Sequence, residues 1–395
     1  MQVSQLLNGH PVDTPALAPA RPFPASDLDG WLKERQQQTA TVLGDFVRER
    51  CAEHVRGVPG ATFLTDLLTG FVTRGKFVRS TFTYLGWLSA ASGWASAESD
   101  AAARAAASTE LVHAFALLQD DVMDRSALRR GQPAAHVRLA SWHRAQGLDG
   151  SAEHFGESAA ILLADLCLVW AEQLFRDSGL PPAALARGWP RYDTLRGELA
   201  VGQFADLVND ARGDPTLDEV LDVIRRKSGN YTVRRPLELG AALAGAGEPV
   251  LEVLGTYGEL VGEAFQLRDD VLGVFGEPDV TGKPSGGDLL ERKATSLVVL
   301  AADMASPVQD AELSRLAQRE DLDAGDIDRW RQLIIDTGAT VRIEQMISDR
   351  VTAACAALTH GGAHGGAHSG ARGGLSPFVR DTLIDLAVRF TDRAR

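Results

Sequence analysis

Five ionisable side chains fall at helical spacing within residues 110–124, ELVHAFALLQDDVMD: Glu110, His113, Asp120, Asp121 and Asp124. The residues between them are apolar or small, so a helix here carries one polar stripe through an otherwise buried surface. Asp120 and Asp124 lie one turn apart, with Asp121 beside them. Carboxylates this close repel one another unless cations sit between them. Hard divalent ions such as Mg²⁺ suit these oxygen ligands and typically bridge them to phosphates. A solvated acidic face would read the same way if it stood alone. It does not, because residues 259–273, ELVGEAFQLRDDVLG, repeat the arrangement with Glu263, Gln266, Asp269 and Asp270. Two such faces could hold a metal cluster between them, with a diphosphate in the middle.

The first stretch is followed by Arg129-Arg130-Gly131-Gln132-Pro133, which looks like an RRGxP motif. This combination resembles the two aspartate-rich motifs and the arginine pair of the trans-isoprenyl diphosphate synthases, or polyprenyl synthetases. The resemblance runs from about residue 75 to the C-terminus. It implies an all-α, isoprenoid-synthase-type helical bundle around a central cavity. It also implies a Mg²⁺-dependent condensation of isopentenyl diphosphate with an allylic diphosphate. The product would be a linear trans short-chain prenyl diphosphate, C20 favoured and C15 possible.

Roles follow from the resemblance residue by residue. Asp120, Asp124 and Asp269 would be the main metal ligands, with Asp121 and Asp270 supporting them. About three Mg²⁺ ions are implied per site, with Mn²⁺ able to substitute. Gly75-Lys76-x-x-Arg79 looks like the family's GKxxR; Phe77 stands where a basic residue is usual and Ser80 where proline is. On their own terms, a loop glycine frees backbone N–H groups, and Lys plus Arg one turn apart can clamp a diphosphate. With Gly70 the segment nearly spells a P-loop, but Phe77 replaces the needed Ser or Thr and no strand precedes it. Lys76, Arg79, His113 and Arg130 would hold isopentenyl diphosphate, and Arg129 the allylic diphosphate. Gln203 and Asp206 lie in a GQxxDL-like run, where Gln203 could orient near the allylic substrate and Asp206 reads as structural. Lys227-Ser228 looks like the family's KT pair, with Gly229 expected to break the helix locally. Gln266, Lys283 and Lys293 complete the allylic side. Gly273 replaces the last Asp of the second motif, which predicts weaker coordination there. Phe115, five residues before Asp120, would set product length.

Composition agrees with a helical enzyme. The chain has 395 residues, 45% of them hydrophobic, and few aromatics. It lacks a period-2 strand array. A net charge of −13 argues against nucleic-acid binding as the main role. Cys51, Cys167 and Cys355 are widely spaced, without a CxxC pattern, which suggests reduced thiols and a cytoplasmic setting. No signal peptide is read at the N-terminus, and no uninterrupted apolar run reaches about 18 residues, so stable membrane insertion is not expected. Of the 40 basic residues only five are lysine, and four of these (Lys76, Lys227, Lys283, Lys293) fall in the motifs above. In a chain that otherwise uses arginine, a retained lysine suggests need for a compact ammonium.

The elements that must position these groups are legible in outline. Residues 1–26 read as a flexible, Pro- and Ala-rich leader and 27–395 as one domain. Residues 158–176 form a strongly apolar helix for the core or a homodimer interface. Residues 359–374, THGGAHGGAHSGARGG, read as a low-complexity surface insert, and a closing helix covers 378–395. Two other readings share part of this pattern. A class I terpene cyclase would need NDxxSxxxE spacing, yet Asn209-Asp210 is followed by Gly213 where Ser is required. A non-catalytic subunit of a heteromeric synthase would lack the first aspartate motif, which is intact.

Overall fold

The computed structural model describes residues 28–91, 98–276, 286–319, 321–360 and 375–391. The leader, Lys283 and all but the first two residues of the His/Gly-rich insert lie outside them. Nearly everything described is helical, as the composition and the family resemblance led us to expect. Among the described residues the strand content is one hairpin of two-residue strands, Leu128–Arg129 and Gln132–Pro133.

Two helices carry the acidic stretches: α4 (Ser99–Met123) and α10 (Glu248–Phe275). Before α4 come α1 (Leu28–His54), α2 (Ala61–Val72) and α3 (Val78–Leu88). After it come α5 (Ala135–Ala145), α6 (Ala152–Arg176), α7 (Pro182–Arg212) and α8 (Leu217–Val223). A π-helical segment, Ile224–Arg234, then leads into α9 (Arg235–Ala244) and α10. Beyond α10 follow α11 (Gly287–Leu290), α12 (Ser296–Met304), α13 (Pro307–Ala317), α14 (Ala324–Asp336), α15 (Ala339–His360) and α16 (Pro377–Thr391). The expected insert begins later than its composition suggests, because α15 runs on through Thr359 and His360.

Two apolar clusters form the interior, and α10 contributes to both. Its first half (Leu254, Tyr257, Val261) belongs to the larger cluster with α3, α4, α6 and α9. Its second half (Ala264, Leu267, Val274) packs with α11, α12, α14 and α15. Arg268 ties these parts together, donating to Glu344 at 2.6 and 2.7 Å and to the Thr391 carbonyl at 2.6 Å. The strongly apolar α6 is long and apolar enough, by length and composition, to cross a membrane. In this fold Ala160, Leu163, Ala164, Cys167 and Trp170 bury one of its faces in the core, while Leu162 and Val169 stay exposed.

Close helix packing depends on small residues where backbones meet. A Cβ on Gly240 would lie 1.8 Å from the Thr83 carbonyl oxygen, and one on Gly86 would lie 2.1 Å from that of Leu237. Hence α3 and α9 approach through glycine on both sides. Gly240→Ala is expected to destabilise the fold by about 1–3 kcal/mol through overpacking. Gly197→Ala, in α7 with open space around it, should be neutral or slightly stabilising. Thermal unfolding of both variants checks this contrast.

Candidate active site

Both acidic motifs occupy the C-terminal ends of their helices. Asp120 and Asp121 lie in the last turn of α4 and Asp124 is its C-cap; Asp269 and Asp270 lie in the last two turns of α10. A helix C-terminus already carries partial negative charge, so carboxylates there are destabilising unless cations approach. Neither helix has a basic residue in its last turn. The compensating charge comes from other elements.

Lys227, from the π segment, donates to Asp120 Oδ1 at 3.2 Å and to Asp206 Oδ2 on α7 at 2.5 Å. Lys293 donates to Asp124 Oδ2 at 2.6 Å and lies 3.3 Å from Glu291. Burial works against the charged form of both ammonium groups, but the facing carboxylates outweigh it and raise both pKa values. Asp120 shows the converse: burial opposes ionisation, yet Lys227, Arg129 and Lys293 lower its pKa. Asp120 is therefore held ionised.

Asp121 and Asp270 have other partners. Asp121 is fully buried and accepts from Arg129 Nε at 2.8 Å; burial still pushes its pKa up. Asp270 accepts from the backbone N–H of Ser296 at 3.0 Å, from its hydroxyl at 2.6 Å and from Gln266 Nε2 at 3.0 Å. It anchors the start of α12, and burial raises its pKa to about 6. Gln266 is thereby oriented along α10. Asp269, half-buried on the neighbouring face, is the second motif's carboxylate in Asp120's position.

The RRG run forms a tight hairpin turn. Arg130 and Gly131 have φ of 52° and 70°, as a two-residue turn with both residues left-handed requires. The turn sends the two arginines apart. Arg129 packs on Asp121, 3.6 Å from Asp120 Oδ2, whereas Arg130 donates to the Arg74 carbonyl beside Gly75. Arg130, Arg74, Phe77, Glu110 and His113 line a cleft on the α4 side. Lys76 lies in the same loop, its carbonyl accepting from Gln36 Nε2 at 3.2 Å. Arg79 donates to Thr232 at 2.9 Å and lies over the Tyr231 ring at 4.3 Å, and the His113 ring centre is 6.2 Å from that of Tyr231. Burial, then Arg79, Arg130 and Arg129, hold the His113 pKa well below its usual value, so the ring is neutral at neutral pH.

The departures from the expected GKxxR pattern have a shared cause. Phe77 is buried, in left-handed backbone at φ 49°, just before α3. Ser80 donates both its N–H (2.9 Å) and its hydroxyl (3.1 Å) to buried Glu110 on α4. Proline at position 80 would have no N–H for this bond. Glu110 therefore joins α3 to α4 rather than extending the acidic stripe.

Two further points differ from the sequence reading. Asp206, read as structural, is a direct partner of Lys227, and Asp210 lies near enough to it, to Lys293 and to Asp124 for its pKa to respond, with burial the larger cause. The signal was present: Asp206 and Asp210 repeat the one-turn spacing of Asp120 and Asp124. Gly229 does not break the helix. The chain widens into eleven π-helical residues, with Gly229 packed against Gly262 of α10 and Lys227's backbone against Gly202 of α7. Gln203 reaches Met123 Sδ at 3.6 Å, at the end of α4. Ser228 is half-buried in the π segment, and Phe115 packs half-buried against the larger core.

Among the described residues, no three His, Cys, Asp or Glu side chains converge to enclose an ion. The donor set still fits Mg²⁺, which is usually held by one or two carboxylates together with phosphate and water rather than by a protein cage. Asp120 and Asp124, one turn apart and each facing a lysine ammonium, are such a pair.

A polyprenyl synthetase family model matches residues 62–334. The chain belongs to the polyprenyl synthetase family. It is 33% identical over 295 residues to a geranylgeranyl diphosphate synthase of Mycobacterium tuberculosis, covering 74% of this chain and 77% of that one. It is 33% identical over 237 residues to a geranylfarnesyl diphosphate synthase of Aeropyrum pernix, covering 59% and 68%. A geranylgeranyl pyrophosphate synthase of Corynebacterium glutamicum, solved with isoprenyl diphosphate and magnesium, superposes with a TM-score of 0.83 at 35% identity, over 93% of this chain and all of that one. The isoprenyl-synthase fold expected from the motifs is thus established.

Asp269→Ala and Asp270→Ala should part company. Loss of Asp270 leaves the Ser296 N–H without its acceptor and should cost about 1 kcal/mol of stability or more. Loss of Asp269, which accepts no such bond from Ser296, should chiefly depress Mg²⁺-dependent turnover, at least about tenfold. Unfolding scans and initial rates on both variants measure the two effects.

Proposed function

We propose that this chain is a Mg²⁺-dependent trans-prenyltransferase that condenses isopentenyl diphosphate with an allylic diphosphate to a linear short-chain product, C20 favoured over C15. The observation that carries this reading is that α4 serves two anion-receptive clusters. His113, with Arg79, Lys76 and Arg130 nearby, lies seven residues before Asp120, about 10 Å along the helix. A synthase needs two diphosphate sites, whereas a cyclase needs one.

In this reading Lys76, Arg79, His113 and Arg130 hold isopentenyl diphosphate, with Gly75 letting the loop approach. Neutral His113 contributes one N–H donor. Arg129, Lys227, Ser228, Gln203, Gln266 and Lys293 orient the allylic diphosphate, joined by Lys283. Asp120, Asp124 and Asp269 hold the metal, supported by Asp121, which positions Arg129, and by Asp270, which positions Gln266. When bound, Mg²⁺ offsets the negative charge that builds on the departing diphosphate. The preset cations do the same without reorganising during the reaction. The alkene of isopentenyl diphosphate attacks the resulting allylic cation, and the departed diphosphate accepts the proton, so no protein general base is invoked. Residues 27–395 would act as one domain, in the cytoplasm, with about three Mg²⁺ or Mn²⁺ ions per site.

Phe115 lies more than one turn below Asp120 and is proposed to limit the growing chain. A homodimer is proposed from exposed apolar residues at helical spacing, Leu162 and Val169 on α6 and Val201 and Phe204 on α7.

Purified protein given isopentenyl diphosphate, Mg²⁺ and dimethylallyl, geranyl or farnesyl diphosphate should yield linear C20 alcohol after dephosphorylation. Phe115→Ala should shift the products by at least one five-carbon unit. Cyclic hydrocarbon formed without isopentenyl diphosphate would instead indicate a cyclase, and absence of turnover with every primer a non-catalytic subunit. In sedimentation, the 42.3 kDa chain should run at twice its mass, and Phe204→Glu should shift it to monomer. A wild-type monomer at micromolar concentration would rule the dimer out.

A further inference from the structure

Position 273 is where the second motif's pattern puts its last carboxylate, one turn beyond Asp269 on the same face of α10. Here it is glycine, yet its side-chain space is filled. A Cβ built on Gly273 would lie 1.8 Å from Oδ2 of Asp288 and 2.4 Å from its Cγ. Any side chain at 273 would collide with a carboxylate arriving from α11. The approach is well anchored. Gly286, at φ 74°, turns the chain towards α10, and Leu289 is fully buried in the second core. The Lys293 N–H then donates to the Asp288 carbonyl at 2.9 Å, while its ammonium reaches Asp124. One short segment thus sets a carboxylate against the second acidic face and a cation against the first.

We propose that Asp288 takes the place of the carboxylate missing at position 273, completing with Asp269 the second acidic face towards a Mg²⁺–diphosphate ligand. The proposal rests on the synthase reading above. Coordination depends on where an oxygen lies and not on which element delivers it. Asp269 and Gly273 have the same spacing as Asp120 and Asp124, so a carboxylate over Gly273 restores a one-turn acidic pair. The glycine and Asp288 form a matched set: the glycine makes room, and the aspartate fills it. The reduced coordination expected from Gly273 alone is therefore offset through space.

The test is calorimetric titration of the full-length protein with inorganic pyrophosphate in the presence of Mg²⁺, alongside thermal midpoints. Asp288→Asn keeps the side chain's shape and removes its charge; it should weaken binding about tenfold or more, the midpoint showing that the variant is folded. Gly273→Asp alone should also weaken binding, because two carboxylates compete for one place. The double variant Gly273→Asp/Asp288→Gly returns the carboxylate to α10 and should recover most of the lost affinity. Wild-type affinity in Asp288→Asn overturns the proposal. So does a Gly273→Asp protein that binds as well as wild type, or a folded double variant no better than Asp288→Asn. A wild-type protein that neither binds Mg²⁺–pyrophosphate nor turns over any primer refutes the synthase reading itself, and the role of Asp288 with it.

Discussion

Negative charge gathered at the C-terminal ends of two helices is the constraint on which the remaining structure depends. Asp120 and Asp124 on α4 and Asp269 on α10 add carboxylates to the end of a helix where the backbone dipole already disfavours them. No local sequence choice relieves this, since neither last turn contains a basic residue. At the end of α4, Lys227, Lys293 and Arg129 relieve it from three other elements. The fold around the site is largely a means of delivering those cations and holding them. In the proposed reading, the same carboxylates would hold a divalent ion and the ammonium groups beside them a diphosphate.

Delivery of Lys227 shows how this is done. An eleven-residue π segment is an unusual length for that geometry, and it persists here because both sides hold it. Glycines on α7 and α10 let the backbones close in. Charged pairs then brace the widened turn. Buried Glu263 accepts from Arg225 at 2.9 Å and Arg350 at 2.8 Å, and buried Glu238 from Arg235 at 2.6 Å and Arg234 at 3.0 Å. Breaking one partner of such a pair leaves an uncompensated buried charge, which is far more costly than the pair is favourable. The network therefore favours one register of the segment, and with it one position of Lys227.

The second anion-receptive cluster is joined to the first by covalent economy. Arg129 and Arg130 are neighbours in sequence but face different clusters, because a two-residue left-handed turn reverses the chain between them and α5. Phe77, Ser80 and Glu110 make a comparable unit on the other side. A buried ring and two hydrogen bonds fasten the GKxxR-like loop to α4 in place of the usual proline.

How much of this could be read from the chain alone depends on whether a property is local. Helical periodicity and one-turn spacing act within a few residues, so the two acidic faces were legible directly from residues 110–124 and 259–273, whereas the roles of the lysines came only with the family resemblance. What a side chain touches across the bundle is not local. Asp121 and Asp270 carry the same spacing signal as Asp120 and Asp269, yet one packs on Arg129 and the other caps α12. Asp206 looked structural until α7 was seen to carry it to Lys227. Gly273 read as a lost ligand, because a sequence cannot reveal that Asp288, fifteen residues on, fills the same space. Spacing determined which residues could share a face; only the packing of helices decided which faces meet, because those contacts join positions far apart in the chain.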